Sequence, residues 1–162
     1  MTNAEVQESK PGRAGRIKLH KPEDFEGMRK AGRLTAEALD LITPLVEAGA
    51  TTEALNNFVV EFSRDNNAIP ATVNYRGYTK AICTSINHVV CHGIPNDTPL
   101  REGDIVNIDV TLIVDGWYGD SSRMYPVGEI SRKAELPIEV NYECLMRGIA
   151  MVKPGAHLGD IG

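Results

Sequence analysis

Two aspartates, Asp109 and Asp120, are the residues of this chain whose type and spacing point to chemistry. Two carboxylates held on one face would repel each other unless a positive charge lay between them. A pair of divalent ions about 3.5–4 Å apart fits such a gap, because carboxylates both chelate and bridge metals. A solvent-facing Asp109 and a loop position for Asp120 are the alternative. Asp109 lies between Ile108 and Val110, in a run apolar enough for a central strand, where aspartate is depleted, and this favours the metal interpretation.

The segment that must position these carboxylates is predicted to be a β-hairpin. Apolar and polar residues alternate over 107–114, which is the period of a strand with one buried face. Asp115-Gly116 is the favoured pair for a two-residue turn, because both residues tolerate the positive φ of a type I′ turn. With that turn, Thr111 faces Asp120 across the hairpin. Asp109 then lies diagonal to Asp120 on the same face, about 7–8 Å away at Cα.

Composition narrows the class of protein. The 162 residues are 42% hydrophobic and 24% charged, which is typical of one globular domain or a piece of a larger one. Lys and Arg number 17 against 22 Asp and Glu, a net charge of −5, and this acidity argues against nucleic-acid binding. No apolar run approaches the ~20 residues of a membrane span, and the N-terminus lacks a signal-peptide core. The three cysteines lack C-x-x-C spacing, which predicts free thiols, so we expect a cytoplasmic protein.

Three helices are predicted around the hairpin. The first begins at Pro22 and ends near residue 48, the second is capped by Thr51 or Thr52, and the third covers residues 133–152. Short β-type runs broken by turns fill residues 68–94. The apolar stripes of the first two helices are expected to face the core; they are Phe25, Met28, Leu34, Ala38 and Leu41, and then Leu55, Phe58, Val59 and Phe62.

The sequence also suggests an internal repeat at an offset of 106 residues. Residues 46–55 and 152–161 share a valine, a Gly-Ala pair and a final aliphatic residue, and Glu37-Ala-Leu39 matches Glu143-Cys-Leu145. Chance can produce such a match, and a true duplication is the other interpretation. A duplication means that a second helix–helix–sheet unit begins in the last part of the sequence. The apolar stripe of the third helix would then lack part of its packing partner.

Six short motifs in fixed order resemble those of type I methionine aminopeptidases. They lie at residues 75–78 (YRGY), 83–87 (CTSIN), 90–95 (VCHGIP), 103–110 (GDIVNIDV), 115–120 (DGWYGD) and 151–155 (MVKPG). The resemblance implies the pita-bread fold, an α/β (α+β) architecture of two pseudo-symmetric halves with a dimetal site between them. This chain would hold the N-terminal half and the start of the second half. That incomplete domain would cover residues 21–162, behind a mobile polar arm at residues 1–20.

The resemblance also implies roles for individual residues. Asp109 matches the family's chelating carboxylate, and Asp120 matches its bridging one. His92 matches the histidine that contacts the substrate near the scissile bond, where an imidazole can donate to the peptide and stabilise developing charge; a structural histidine is the alternative. The wall of the methionine pocket matches residues whose aromatic and sulfur surfaces suit a thioether, with core packing as the alternative: Tyr75, Tyr78 and Cys83.

One departure from the family pattern outweighs the others. The family's dimetal site takes five protein ligands, and the last three, a His and two Glu, come from its second half. No residue of this chain matches those three. The resemblance therefore implies the N-terminal part of a methionine aminopeptidase that is inactive, or nearly so, on its own. A smaller departure is Thr72, where many relatives have a cysteine, and it implies a slightly more polar pocket.

The implied activity is hydrolytic removal of the N-terminal methionine from new polypeptides. The cofactors would be two divalent metal ions, drawn from Co, Mn, Fe and Zn. The partners would be nascent polypeptide N-termini, with action at the ribosome left open, and family members are usually monomeric. No membrane or nucleic-acid partner is expected. Two other functions stay open at this point: a non-catalytic binding protein of the same fold, and a pita-bread peptidase that cleaves X-Pro bonds or dipeptides.

Overall fold

The computed structural model describes residues 19–162. Residues 1–18 of the predicted mobile arm lie outside the described residues. Within that range the elements follow in the order α1, α2, β1, β2, β3, β4, α3. Their bounds are α1 Pro22–Ile42, α2 Thr52–Asp65, β1 Ile69–Pro70, β2 Ile82–Ile86, β3 Ile105–Val114, β4 Trp117–Pro126 and α3 Arg132–Met151. Short 3-10 helices lie at Thr43–Leu45, Tyr75–Gly77 and Leu158–Asp160.

The β3–β4 hairpin forms in the predicted register. Thr111 pairs with Asp120, and the turn residues Asp115 and Gly116 have φ of +51° and +84°, as a type I′ turn requires. β4 pairs along the whole length of β3, while β2 and β1 pair antiparallel with two segments of its other edge. Side chains of β3 alternate between buried and partly exposed. One face of the sheet is therefore core, and the other, which carries Asp109 and Asp120, is open.

α1 packs against the hairpin through a face on which three of the five buried side chains are small. Its buried residues are Ala31, Thr35, Ala38, Leu39 and Ile42. Gly119 of β4 approaches this face closely: a Cβ built on Gly119 would lie 2.3 Å from the carbonyl oxygen of Ala31. The Thr35 hydroxyl lies 3.0 Å from the carbonyl oxygen of Gly119. The helix therefore lies nearer to the sheet than a larger side chain at Gly119 would permit.

The predicted core face of α1 is wrong for most of its members. Of the predicted stripe, only Ala38 is fully buried. Leu34 is partly buried, and three large side chains are 46–48% exposed: Phe25, Met28 and Leu41. The reason is steric, because the close approach of Gly119 selects the neighbouring helix face with smaller residues. Apolar periodicity finds a stripe but does not measure how near the sheet will come.

The helix boundaries show one error and one confirmation. α1 ends at Ile42 rather than near residue 48, because Pro44 has no N–H to continue the helical ladder; the chain goes on as a 3-10 turn. α2 begins as predicted, with Thr51 Oγ1 accepting a hydrogen bond from the Ala54 N–H at 3.1 Å. The predicted core residues of α2 are also confirmed, with Leu55, Val59 and Phe62 buried and Phe58 partly buried.

α3 forms at its predicted place but without a packing surface in the described part of the chain. None of its residues is buried. Tyr142, Leu145 and Ile149 of the predicted apolar stripe are 64%, 56% and 56% exposed. Between residues 19 and 162, no helix combines the length and the apolar character needed to cross a membrane.

The backbone supports the predicted repeat. Gly49 and Gly155, 106 residues apart, have φ of +94° and +88°. Thr51, the N-cap of α2, has φ −96° and ψ 148°, and His157, the N-cap of the last 3-10 helix, has φ −102° and ψ 155°. The backbone angles thus agree at these two pairs of matching positions, although only α1 is packed.

Candidate active site

One open pocket of about 680 Å³ lies on the exposed face of the sheet. All six residues singled out in the sequence line this pocket: Tyr75, Tyr78, Cys83, His92, Asp109 and Asp120. β3 and β4 supply the carboxylates, β2 supplies the thiol, and the loops on either side of β2 supply the tyrosines and the histidine. Residues that are distant in the chain thus meet over one surface.

Asp109 is the half-buried carboxylate of the pocket. Burial raises the pKa of its carboxyl group above the ordinary value, the charge of Asp120 raises that pKa further, and His92 lowers it. Cys83 lies opposite Asp109 across the β2–β3 pair. The ionised form of Asp109 is therefore disfavoured by both desolvation and its carboxylate neighbour, and a bound cation would relieve both effects.

Asp120 is the exposed carboxylate, and Thr111 orients it. The Thr111 hydroxyl donates a hydrogen bond to Asp120 Oδ1 at 3.0 Å, across the pair that the hairpin register creates. Tyr118, two residues earlier on β4 and on the same face, also lines the pocket. Thr111 and Tyr118 were not among the predicted site residues, although the predicted hairpin register places both on the face of Asp120.

Tyr78 and Cys83 form a hydrogen-bonded wall on the side of β2. The Tyr78 hydroxyl donates to the carbonyl oxygen of Ile82 at 2.9 Å. Burial is the main cause that raises the pKa of Tyr78 well above its ordinary value, and the Cys83 thiol adds to it. Burial likewise raises the pKa of Cys83, so both groups are neutral at pH 7 and present an apolar, polarizable surface.

Tyr75 lies at the rim of the pocket. The residue is 62% exposed, which excludes simple core packing for it, and the Arg76 guanidinium lies 5.4 Å from the ring centroid. Arg76 itself has φ +50°, a conformation that sequence patterns did not reveal. Thr72 also lines the pocket, but its hydroxyl donates to the carbonyl oxygen of Lys80 at 2.7 Å. The Thr72 hydroxyl therefore stabilises the loop, and it adds less polarity to the pocket than the sequence predicts.

His92 is exposed and lies in the pocket with Asp109. Its backbone has φ +55°, which is uncommon for a residue with a side chain. Gly93 follows it and lies directly on β2, where an added Cβ would be 2.0 Å from the carbonyl oxygen of Thr84. The glycine thus lets the chain pass close to the strand, and the histidine precedes that contact at the pocket wall.

The donor set fits one side of a divalent-metal site. Carboxylate oxygens are the ligands that hard divalent cations prefer, and Asp109 and Asp120 offer them on one face. No group of three or more His, Cys, Asp and Glu side chains in the range 19–162 is arranged to hold a metal ion. Two carboxylates alone bind divalent ions weakly and leave most of the coordination sphere to water.

Solved structures define the fold class. A crystal structure of methionine aminopeptidase from Rickettsia prowazekii aligns with a TM-score of 0.88 at 59% identity, covering 90% of this chain and 58% of that one. Methionine aminopeptidase from Thermotoga maritima aligns with a TM-score of 0.86 at 36% identity, over 90% and 59%. Prolidase from Pyrococcus furiosus, at 20% identity and a TM-score of 0.78 over 88% and 41%, shares the fold alone. The architecture is that of the pita-bread fold.

Within that fold class, the family model "Metallopeptidase family M24" matches residues 26–162. The chain belongs to metallopeptidase family M24. A curated methionine aminopeptidase from Rickettsia prowazekii (strain Madrid E) is 60% identical over 146 residues, which are 90% of this chain and 56% of the relative. The chain therefore spans a little over half the length of the relatives that it matches. Membership of a metallopeptidase family agrees with the pair of carboxylates and implies a divalent-metal cofactor.

Proposed function

We propose that this chain forms part of a methionine aminopeptidase that removes the N-terminal methionine from new polypeptides by metal-dependent hydrolysis. The observation that carries the proposal is the shared pocket of Asp109, Asp120, His92 and the Tyr78–Cys83 wall. Similarity to enzymes named methionine aminopeptidase, at 60% and 48% identity, supports it. The prolidase neighbour is much more distant, at 20% identity.

Asp109 and Asp120 would hold the metal. We infer two divalent ions that Asp109 and Asp120 would help to hold, with Mn, Fe, Co or Zn as suitable ions. Such ions supply activation of water and polarisation of the scissile carbonyl. The chain's own contribution is to hold the two carboxylates in place: the strand pairing fixes Asp109, and the Thr111 hydroxyl fixes Asp120.

The remaining pocket residues would bind the substrate. Tyr78 and Cys83, both neutral, present the kind of aromatic and sulfur surface that packs well against a thioether. Tyr75 at the rim would cover the methionine side chain from the solvent side. His92 would donate a hydrogen bond to the peptide next to the scissile bond and so stabilise charge that develops there.

The proposed partners are nascent polypeptide N-termini, met in the cytoplasm by a monomeric enzyme. These N-termini would include those that emerge from the ribosome. The net charge of −5 disfavours nucleic acid as a partner. Because the described residues offer two metal ligands of suitable type, we also propose that the 162-residue chain alone has little or no peptidase activity.

A chimera tests the proposed function. Residues 1–162 would be followed by the remaining C-terminal part of the Rickettsia prowazekii relative, loaded with Mn²⁺ or Co²⁺, and assayed on a Met-Ala-Ser peptide and on an Xaa-Pro peptide. We expect turnover of Met-Ala-Ser by the chimera, at least 100-fold less in Asp109→Asn and in Asp120→Asn, and none above background by the 162-residue chain. The control is Asp115→Asn, at the exposed turn of the same hairpin.

Each other outcome favours a named alternative. A chimera that prefers the Xaa-Pro peptide would be an X-Pro peptidase. A chimera that binds Met-Ala-Ser without turning it over would be a non-catalytic binding protein. Turnover by the 162-residue chain itself, above its own Asp109→Asn variant, would refute the proposed dependence on further ligands.

A further inference from the structure

The backbone at His92 needs external support. Its φ of +55° is in the left-handed region, which a residue with a side chain adopts at a cost. The side chain is exposed, and no hydrogen bond between residues 19 and 162 holds the imidazole itself. The backbone on either side therefore sets the direction in which the His92 side chain leaves the chain.

Gly93 provides that support, because both of its backbone groups are held. Its carbonyl oxygen accepts a hydrogen bond from the Thr84 N–H at 2.8 Å and lies 3.4 Å from the Tyr78 hydroxyl. Its N–H donates to the Ser85 hydroxyl oxygen at 3.2 Å. The Ser85 contact acts on the peptide unit that joins His92 to Gly93, so it fixes the ψ angle of His92.

We propose that Ser85 is a positioning residue for His92. By accepting from the Gly93 N–H, Ser85 holds the His92–Gly93 peptide plane and thereby aims the imidazole into the pocket beside Asp109. Ser85 is 4% exposed and lies on β2 two residues after Cys83, on the same face of the strand. The use of His92 in catalysis rests on the proposed function, whereas the positioning itself does not.

Thr84, the neighbour of Ser85, provides a matched control. It is buried to the same extent, at 4% exposure, but its side chain points to the opposite face of β2. Its hydroxyl oxygen has no hydrogen-bond partner among the described residues, and its contact with Gly93 is made by the backbone. Thr84→Val therefore changes a hydroxyl on the same strand without touching the contact between Ser85 and Gly93.

The test uses the 162-residue chain, labelled with ¹⁵N and ¹³C, in NMR experiments at fixed pH without metal. The amide exchange rate of Gly93 and the imidazole ¹H–¹³C resonance of His92 would be measured in the wild type, Ser85→Ala, Ser85→Thr and Thr84→Val. In Ser85→Ala, we expect Gly93 exchange to rise about fivefold, the effect of one lost hydrogen bond. The His92 resonance should move toward that of a freely rotating imidazole. Thr84→Val should leave both signals unchanged, and Ser85→Thr should restore both because it keeps the hydroxyl.

A merely structural role would lower the melting temperature of Ser85→Ala but leave the His92 resonance in place, and this result would overturn the proposal. Ser85→Cys keeps nearly the shape of serine with a weaker acceptor, so it covers the case in which the alanine variant does not fold. It should give smaller changes of the same sign, and unchanged Gly93 and His92 signals in folded Ser85→Cys would also overturn the proposal. Neither signal depends on peptidase activity, so failure here is separate from failure of the proposed function.

Discussion

α1 and α3 both carry a Glu-x-Leu segment at matching positions but are opposite in burial. Leu39 of α1 and Leu145 of α3 occupy matching positions 106 residues apart, yet Leu39 is 2% exposed and Leu145 is 56% exposed. The glycines that follow the helices, Gly49 and Gly155, both have positive φ. What separates the two helices is the sheet: α1 packs on β3 and β4, whereas the described chain offers α3 no sheet.

The same contrast applies to the site. The face of the sheet opposite α1 carries the two carboxylates that we propose as metal ligands and one wall of a pocket, and no group of three or more possible ligand side chains is arranged for a metal in residues 19–162. The presence of the helices and the hairpin is predicted by local sequence signals. Under the proposed function, a second surface would bury α3 and complete the metal site.

The largest change in stability should come from truncating Leu39, and Leu145 is the matched position for comparison. Leu39→Ala removes a fully buried side chain and should lower the free energy of unfolding by about 2–5 kcal/mol. Leu145→Ala should change it by less than about 0.5 kcal/mol, because the side chain is already in water. Urea denaturation followed by circular dichroism measures both. Equal effects at the two positions would remove the contrast between the helices.

A smaller effect is expected where α1 touches β4. Gly119→Ala places a methyl group 2.3 Å from the carbonyl oxygen of Ala31, so helix and strand must separate, at a cost of about 1–3 kcal/mol. Gly32→Ala is the control, since an added Cβ on this exposed position of α1 meets nothing within 4 Å. It should stabilise by up to about 1 kcal/mol through helix propensity. Thermal melts that rank these variants in the reverse order would contradict the packing at Gly119.

The smallest effect concerns Asp109 and depends on pH. Its raised pKa means that the folded chain binds this proton more tightly than the unfolded chain, so stability falls as the pH rises from the ordinary carboxyl pKa through the folded one. The metal-free Asp109→Asn variant cannot ionise at this position. It should melt at a higher temperature than the wild type at pH 7, by a margin that shrinks at pH 3. A margin that grows toward pH 3 would mean that the charged form is stabilised even without metal.

Much of this scaffold follows from local rules. The Asp115-Gly116 turn and the alternation along β3 were enough to predict the hairpin register, and with it the common face of Asp109 and Asp120. The core face of α1 was not predictable in the same way, because it depends on how closely Gly119 approaches from a distant part of the chain. The left-handed backbone at His92 was also not predictable from the sequence, because the contacts that support it come from Ser85 and Thr84 on β2. Only the folded chain brings that strand near His92.

The proposal depends on the hairpin aiming Asp109 and Asp120 at one shared divalent-metal site, and titration of the metal-free 162-residue chain with Mn²⁺ by calorimetry tests it most directly. We predict weak binding, with a dissociation constant of about 0.1 mM or higher, that disappears in Asp109→Asn and in Asp120→Asn. Asp115→Asn should bind like the wild type, because asparagine suits the turn and Asp115 pairs with Lys30 at 2.6 Å, away from the pocket. Binding that survives both Asp109→Asn and Asp120→Asn would contradict the account.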